Sequence, residues 1–234
     1  MLKQVPNMLT LANLLSGCIA ITMAFQGNLK AVVIWVVVAA LFDFLDGIFA
    51  RLLKAYSTIG KELDSLADVV SFGVAPAAAV FIVLRDEMLL PGFADPLRFF
   101  LPYIAFIIPL FSALRLAKFN ADERQTLSFL GLPTPANGLF WVSYCVGIQP
   151  LSSGNAAFFY LTAGFIFLFS WLMISEIPMF SLKMKKMTLK GNERPLILSV
   201  LMIAFVLLWG TSGIAWGILV YIVISVITRP QIVK

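Results

Sequence analysis

The chain has 234 residues, of which 61% are hydrophobic and only 12% charged, with a mean hydropathy of +0.97. These values exclude a soluble globular domain and describe a polytopic membrane protein. The net charge of +5 comes from bases spread over several polar segments with no aromatic-lined groove, which excludes a nucleic-acid partner and points to anionic headgroups at the membrane surface.

In chain order, apolar runs of about 17–25 residues predict helical spans near 10–26, 31–50, 67–84, 99–115, 136–149, 157–176, 195–209 and 212–228. The first lacks a small-x-small cleavage site and is flanked by Pro6, Asn7, Thr10 and Asn13, so it is expected to be a retained span rather than a signal peptide. The fifth is short and follows two prolines. With the N-terminus inside, fourteen of the 17 Lys and Arg fall on the inner side and only Lys30, Arg85 and Arg98 on the outer. That bias requires an even number of crossings. The expectation is an all-α polytopic transmembrane helical bundle of about eight spans with both termini cytoplasmic. Residues 1–234 would form a single integral domain of the cytoplasmic membrane. The inner segment 177–194 carries five bases and is expected to lie on the membrane surface. Cys18 and Cys145 sit singly in apolar runs without CxxC spacing and are expected to be small buried hydrophobes.

Against this apolar background, four of the 12 acidic residues fall within 26 positions: Asp43-x2-Asp46-Gly47-x2-Ala50-Arg51-x8-Gly60-x3-Asp64-x3-Asp68. Ionised carboxylates at the edge of apolar runs are costly unless paired or metal-bound. Asp43, Asp46 and Ala50 follow i, i+3, i+7 spacing and share a helix face at the inner end of the second span, while Asp64 and Asp68 stack at i, i+4 at the start of the third. Lys54, Ser57, Thr58 and Gly60 read as the turn between the two helices, so all four carboxylates are expected to converge. Like charges so placed need a cation. Oxygen ligands without His or Cys select Mg²⁺, Mn²⁺ or Ca²⁺, and the chain contains no histidine for zinc or His-dependent acid–base chemistry. Four carboxylates suffice for a two-metal phosphoryl-transfer site. Gly47 and Gly60 would let a ligand approach the backbone or would serve close helix packing. Arg51 can grip a phosphate with its planar fork or act as an inner-side flank.

This spacing resembles the signature of the CDP-alcohol phosphatidyltransferases, integral membrane enzymes that move a phosphatidyl group from CDP-diacylglycerol to an alcohol and release CMP. Every fixed position is matched. The resemblance implies that Asp43, Asp46, Asp64 and Asp68 hold two divalent ions, Mg²⁺ or Mn²⁺, with Asp68 as general base for the acceptor hydroxyl. It further implies that Gly47, Ala50 and Arg51 contact the cytidine diphosphate, with Gly60 beside them, and that the protein is a homodimer facing the cytoplasm. Thr10 and Asn13, at i, i+3 on the first span, would line the nucleotide pocket or make helix-capping or interhelical bonds.

The acceptor is read from the flanks. Asp64-Ser65-Leu66-Ala67-Asp68 followed by Val69 to Ala77 resembles the serine-using branch of the family, where glycerophosphate-using relatives tend to carry Lys at the position of Val69. Pro6 to Asn13, Arg115-Leu116-Ala117-Lys118-Phe119-Asn120 and Phe129 to Ala136 point the same way. L-serine as acceptor needs a cation for its carboxylate: Arg115, with Lys118 at i+3, is the expected partner, and Ser71 would add a hydroxyl or bond its own helix backbone. Other acceptors, glycerol 3-phosphate or an inositol phosphate, would need further cations beside Arg115. A divalent-cation transporter would instead place its acids near mid-span.

Overall fold

The structure is a computed structural model that describes residues 4–85, 95–121, 129–149, 156–179 and 193–228. The helices are α1 (Val5–Phe25), α2 (Leu29–Leu52), α3 (Thr58–Asp68), α4 (Ala75–Leu84), α5 (Asp95–Phe100), α6 (Ile107–Ala121), α7 (Thr134–Ile148), α8 (Ala157–Ile174), α9 (Glu193–Trp209) and α10 (Gly213–Thr228). The all-α expectation holds. A two-residue antiparallel pairing of β1 (Phe129–Leu130) with β2 (Pro178–Met179) is the one strand contact among the described residues.

Six described segments are long and apolar enough to cross a membrane: Val5–Phe25, Leu29–Leu52, Thr58–Leu84, Arg98–Ala121, Ala157–Ile174 and Leu196–Ile227. The last contains both α9 and α10. It folds back at Gly210, whose φ of +63° is the left-handed conformation that glycine adopts at no steric cost, and Gly217 of α10 then lies against Met202 of α9. The 15-residue α7 falls below the length of those six. Of the basic segment, residues 183–192 lie outside the described residues, as do Lys3, Arg124, Arg229 and Lys234.

Local chemistry explains the element boundaries. Pro6 sits in the first turn of α1, where a missing N–H costs nothing. The chain reverses at Gly27, and Asn28 caps α2 by accepting the Ala31 N–H at 3.1 Å. Ser57 caps α3 by accepting the Gly60 N–H at 3.0 Å. The third helix therefore begins at Thr58, nine residues before the apolar run at 67, and Gly60 is helical rather than part of a turn. Hydropathy marks where a helix becomes apolar, and the first turns of α3 carry Lys61, Glu62 and Asp64. As a consequence Asp64 and Asp68 lie about two and three turns into the helix rather than at its start.

Between α3 and α4 the helix widens into a π turn over Val69–Val74. Pro76 supplies the cause: it has no N–H for the Phe72 carbonyl, and its ring would collide with that carbonyl in a regular helix. The turn loosens, and the Ala75 N–H bonds back five residues to the Val70 carbonyl. This wide turn is the packing centre. Gly17 of α1 lies directly against Ser71, Gly73 lies against Pro109 and Ser112 of α6, and Gly138 of α7 lies against Phe72. Around it one apolar cluster links α1, α2, α4 and α6 to α10, with Phe140 and Phe169 stacked at 4.0 Å between ring centroids. Large apolar side chains such as Met8, Leu15, Leu110 and Leu207 point outward, as a lipid-facing surface requires. Cys145 is buried as expected; Cys18 instead is exposed on α1, on the side turned away from the other helices.

A β-carbon on Gly138 would stand 2.9 Å from the Phe72 Cα, with no flexible side chain to move aside. Gly138→Val is expected to destabilise the bundle by about 1–3 kcal/mol, read as a lower melting temperature and a smaller monodisperse fraction in detergent. An unchanged melt would show that α7 and the π turn can separate freely.

Candidate active site

Asp43 on α2 and Asp64 and Asp68 on α3 each offer a carboxylate oxygen, and these oxygens lie within 4.8 Å of one another. Packing of both α2 and α3 against α1 produces this grouping, because the cap at Ser57 fixes where α3 begins and the i, i+4 spacing stacks its two acids. Asp46 lies outside this group of three. It is buried and accepts the Thr10 hydroxyl at 2.5 Å, while Thr10 also contacts the Pro6 carbonyl at 3.1 Å. Asp68 is buried as well and accepts from the Asn13 side-chain amide at 3.2 Å. Helix α1 thus holds two of the four acids in place with neutral polar side chains, and both Thr10 and Asn13 make bonds between helices.

A cleft of about 210 Å³ adjoins the acidic group. Thr10, Asp46, Gly47, Ala50, Gly60 and Asp64 line it, together with Pro6, Asn7, Ala55, Tyr56, Ser57 and Lys61. Asp64 belongs to both the cleft and the acidic group, so the two are continuous. Asn13 is fully buried behind Asp68 and is not part of the lining. A β-carbon on Gly60 would meet Ser57 Oγ at 2.9 Å and Asn7 Oδ1 at 3.0 Å, and one on Gly47 would sit 3.6 Å from Arg51 Nη1. The exposed Arg51 guanidinium therefore folds back over Gly47 at the rim.

The donor set fits a hard divalent cation. Three carboxylates share one small space, and Asp64 Oδ1 is buried without a hydrogen-bond partner. An orphaned carboxylate oxygen is costly, and an ion among oxygen ligands removes that cost.

The residues expected to bind serine divide. Arg115 is buried on α6 and donates from Nη1 to Thr134 Oγ1 at 3.0 Å. Its charge is close enough to act on Asp68, so a cation does stand near the acidic group. Lys118 is engaged elsewhere: its Nζ donates to the Ile174 carbonyl at 3.2 Å and pairs with Glu176 at 3.9 Å. The recess that Arg115 and Lys118 share holds only about 10 Å³, room for one water. Ser71 neither faces the cleft nor bonds its own helix. Its hydroxyl donates to the Asn13 carbonyl at 2.9 Å, fully buried between α1 and the π turn.

Several lining residues escape a reading of the sequence. Lys61 looks like an inner-side flank, yet it enters the cleft, and its Nζ reaches the Asn120 carbonyl at 3.1 Å while the Asn120 amide donates to Ser65 at 2.8 Å. Tyr56 carries no signal, and Asn7 stands out only within the stretch Pro6 to Asn13, since it is folding that brings both into the cleft lining. Ser57 followed by Gly60 is a capping pattern that the sequence does display.

Comparison with known proteins agrees with this geometry. The model of the family described as CDP-alcohol phosphatidyltransferase matches residues 3–182. The chain is 32% identical over 166 residues to the CDP-diacylglycerol–serine O-phosphatidyltransferase of Bacillus subtilis (strain 168), covering 68% of this chain and 86% of that one. It is 35% identical over 191 residues to the enzyme of the same name from Helicobacter pylori (strain J99), covering 79% and 75%. With the archaetidylserine synthase of Methanothermobacter thermautotrophicus it shares 36% identity over 177 residues, covering 74% and 67%. A family match over residues 3–182, a stretch that contains the whole aspartate pattern, makes this protein a member of the CDP-alcohol phosphatidyltransferase family.

Proposed function

We propose that this protein transfers the phosphatidyl group of CDP-diacylglycerol to L-serine, giving phosphatidylserine and CMP. The observation that carries the reading is the joining of three clustered carboxylates to a cleft through Asp64. The names borne by its relatives support serine as the acceptor.

The cleft receives the cytidine diphosphate. Gly47, Ala50 and Gly60 leave room for it, Arg51 closes the rim, and Lys61 with the N-terminus of α3 supplies positive charge toward the phosphates. Two Mg²⁺ or Mn²⁺ ions held by Asp43, Asp46, Asp64 and Asp68 would neutralise the diphosphate and the departing CMP phosphate. Asp68, oriented by Asn13, accepts the proton of the serine hydroxyl; the hydroxyl oxygen bonds to the lipid-side phosphorus as the bond to the CMP oxygen breaks. Arg115 takes the serine carboxylate. The engagement of Lys118 with Ile174 and Glu176 leaves Arg115 alone of that pair for the task among the described residues, which suits a carboxylate better than the phosphate of glycerol 3-phosphate or an inositol phosphate. In this reading the chain is one integral domain of eight crossings, working as a homodimer in the cell membrane. Both termini and the cleft face the cytoplasm, in line with the fourteen bases of the inner segments.

Purified protein given CDP-diacylglycerol, Mn²⁺ or Mg²⁺ and labelled serine is expected to yield labelled phosphatidylserine and to lose this activity on chelation. Robust CMP release with another alcohol but none with serine would overturn the acceptor. Asp68→Asn is expected to abolish transfer while leaving CDP-diacylglycerol binding largely intact; near-normal turnover would remove Asp68 from the role of base. Asn13→Ala deletes one hydrogen bond to that carboxylate and is expected to lower kcat roughly tenfold, as befits a bond worth about 1.5 kcal/mol, with little change in the KM for CDP-diacylglycerol.

A further inference from the structure

The stretch from Phe129 to Ala136 stands out in the sequence, yet none of its residues lines the cleft or joins the acidic group. Its backbone is stitched to the end of α8. The Gly131 N–H donates to the Ile177 carbonyl at 2.9 Å and the Leu132 N–H to the Leu172 carbonyl at 3.0 Å, a carbonyl in the last turn of α8 that also accepts the Ser175 hydroxyl at 2.8 Å. Gly131 has φ +73°, and a β-carbon there would press on the carbonyls of Met173, Ser175 and Leu172. Only glycine fits this approach. Pro133 then runs extended, and Thr134 opens α7 with Pro135 in its first turn.

This path delivers Thr134, fully buried, to Arg115. The Thr134 hydroxyl accepts from Arg115 Nη1, and the guanidinium lies 5.5 Å from the centre of the Phe119 ring. A guanidinium is planar, so one fixed nitrogen and one stacked face set the direction of its remaining donors. Among those donors Nε is buried without a hydrogen-bond partner. A charged donor held in one direction and left unsatisfied is costly to the protein alone, and a ligand oxygen offsets that cost.

We propose that Thr134 is a positioning residue for acceptor recognition: clamped through Gly131 and Leu132 to the end of α8, it orients Arg115 so that the buried donor edge meets the carboxylate of the acceptor. This rests on the reading of Arg115 as the carboxylate anchor.

The test compares L-serine with serinol, which replaces the carboxylate by a hydroxymethyl group, as acceptors for the purified enzyme and its variants. Thr134→Val is expected to raise the KM for serine on the order of tenfold with the KM for CDP-diacylglycerol unchanged. The preference for serine over serinol should fall by the same factor. Thr134→Ser keeps the hydroxyl and is expected to behave as the parent. Arg115→Lys tests the underlying reading. A raised serine KM in Arg115→Lys with no change in Thr134→Val overturns the positioning role alone; no change in either overturns Arg115 as anchor. Equal losses for serine and serinol in Thr134→Val would assign Thr134 to structure and overturn the proposal. Should Thr134→Val not accumulate as folded protein, Thr134→Ala against Thr134→Ser makes the same comparison, and equal serine KM values in that pair would overturn it.

Discussion

A single missing N–H organises much of this molecule. Pro76 denies the Phe72 carbonyl its helical partner, and the resulting wide turn over Val69–Val74 sits one residue beyond Asp68. Three helices close on that turn through Gly17, Gly138 and its own Gly73. Glycine contacts of this kind bring backbones together where lipid offers no hydrophobic drive for helix association. The irregular turn is tolerated because it is buried in protein, where Ser71 can bond the Asn13 carbonyl across the contact.

The acids depend on the same contact. Helix α1, drawn in by Gly17, presents Thr10 to Asp46 and Asn13 to Asp68 from one face. Neither partner carries charge. A Lys or Arg in either place would neutralise the carboxylate and compete with a cation, whereas a hydroxyl or an amide fixes its geometry and leaves its charge available. Asp64 is left with a buried, unpartnered oxygen beside the cleft, so the incompletely satisfied atom is the one best placed to meet a ligand.

Fixed spacing along helices was the legible part. The i, i+4 relation of Asp64 and Asp68 and their approach to Asp43 follow from helical periodicity and one short turn, and Arg115 does stand near Asp68. Contacts between helices were not legible. Nothing in the chain order reveals that Ser71 turns toward α1, that Lys118 is held by the end of α8, or that Lys61 enters the cleft. Asp46 departs from the expected convergence for a related reason: α2 packs against α1, and Thr10 holds the Asp46 carboxylate there. The start of α3 was missed because polar first turns hide a helix from hydropathy, while the cap at Ser57 marks it.

The hairpin of α9 and α10 lies beyond the stretch matched by the family, which ends at residue 182. Only 11% of its most apolar window is buried within the protein. The outward side chains of α9, such as Val200, Ile203 and Leu207, therefore answer to bulk apolarity rather than to shape, so exchanges among Leu, Ile, Val and Phe should be nearly silent there, whereas Ile218 and Ile222 of α10 belong to the core. Around Gly17, Gly73 and Gly138 a single methyl meets backbone. Evolutionary freedom in this molecule thus forms a gradient, steep at the proline-widened turn and almost flat on the outward face of α9.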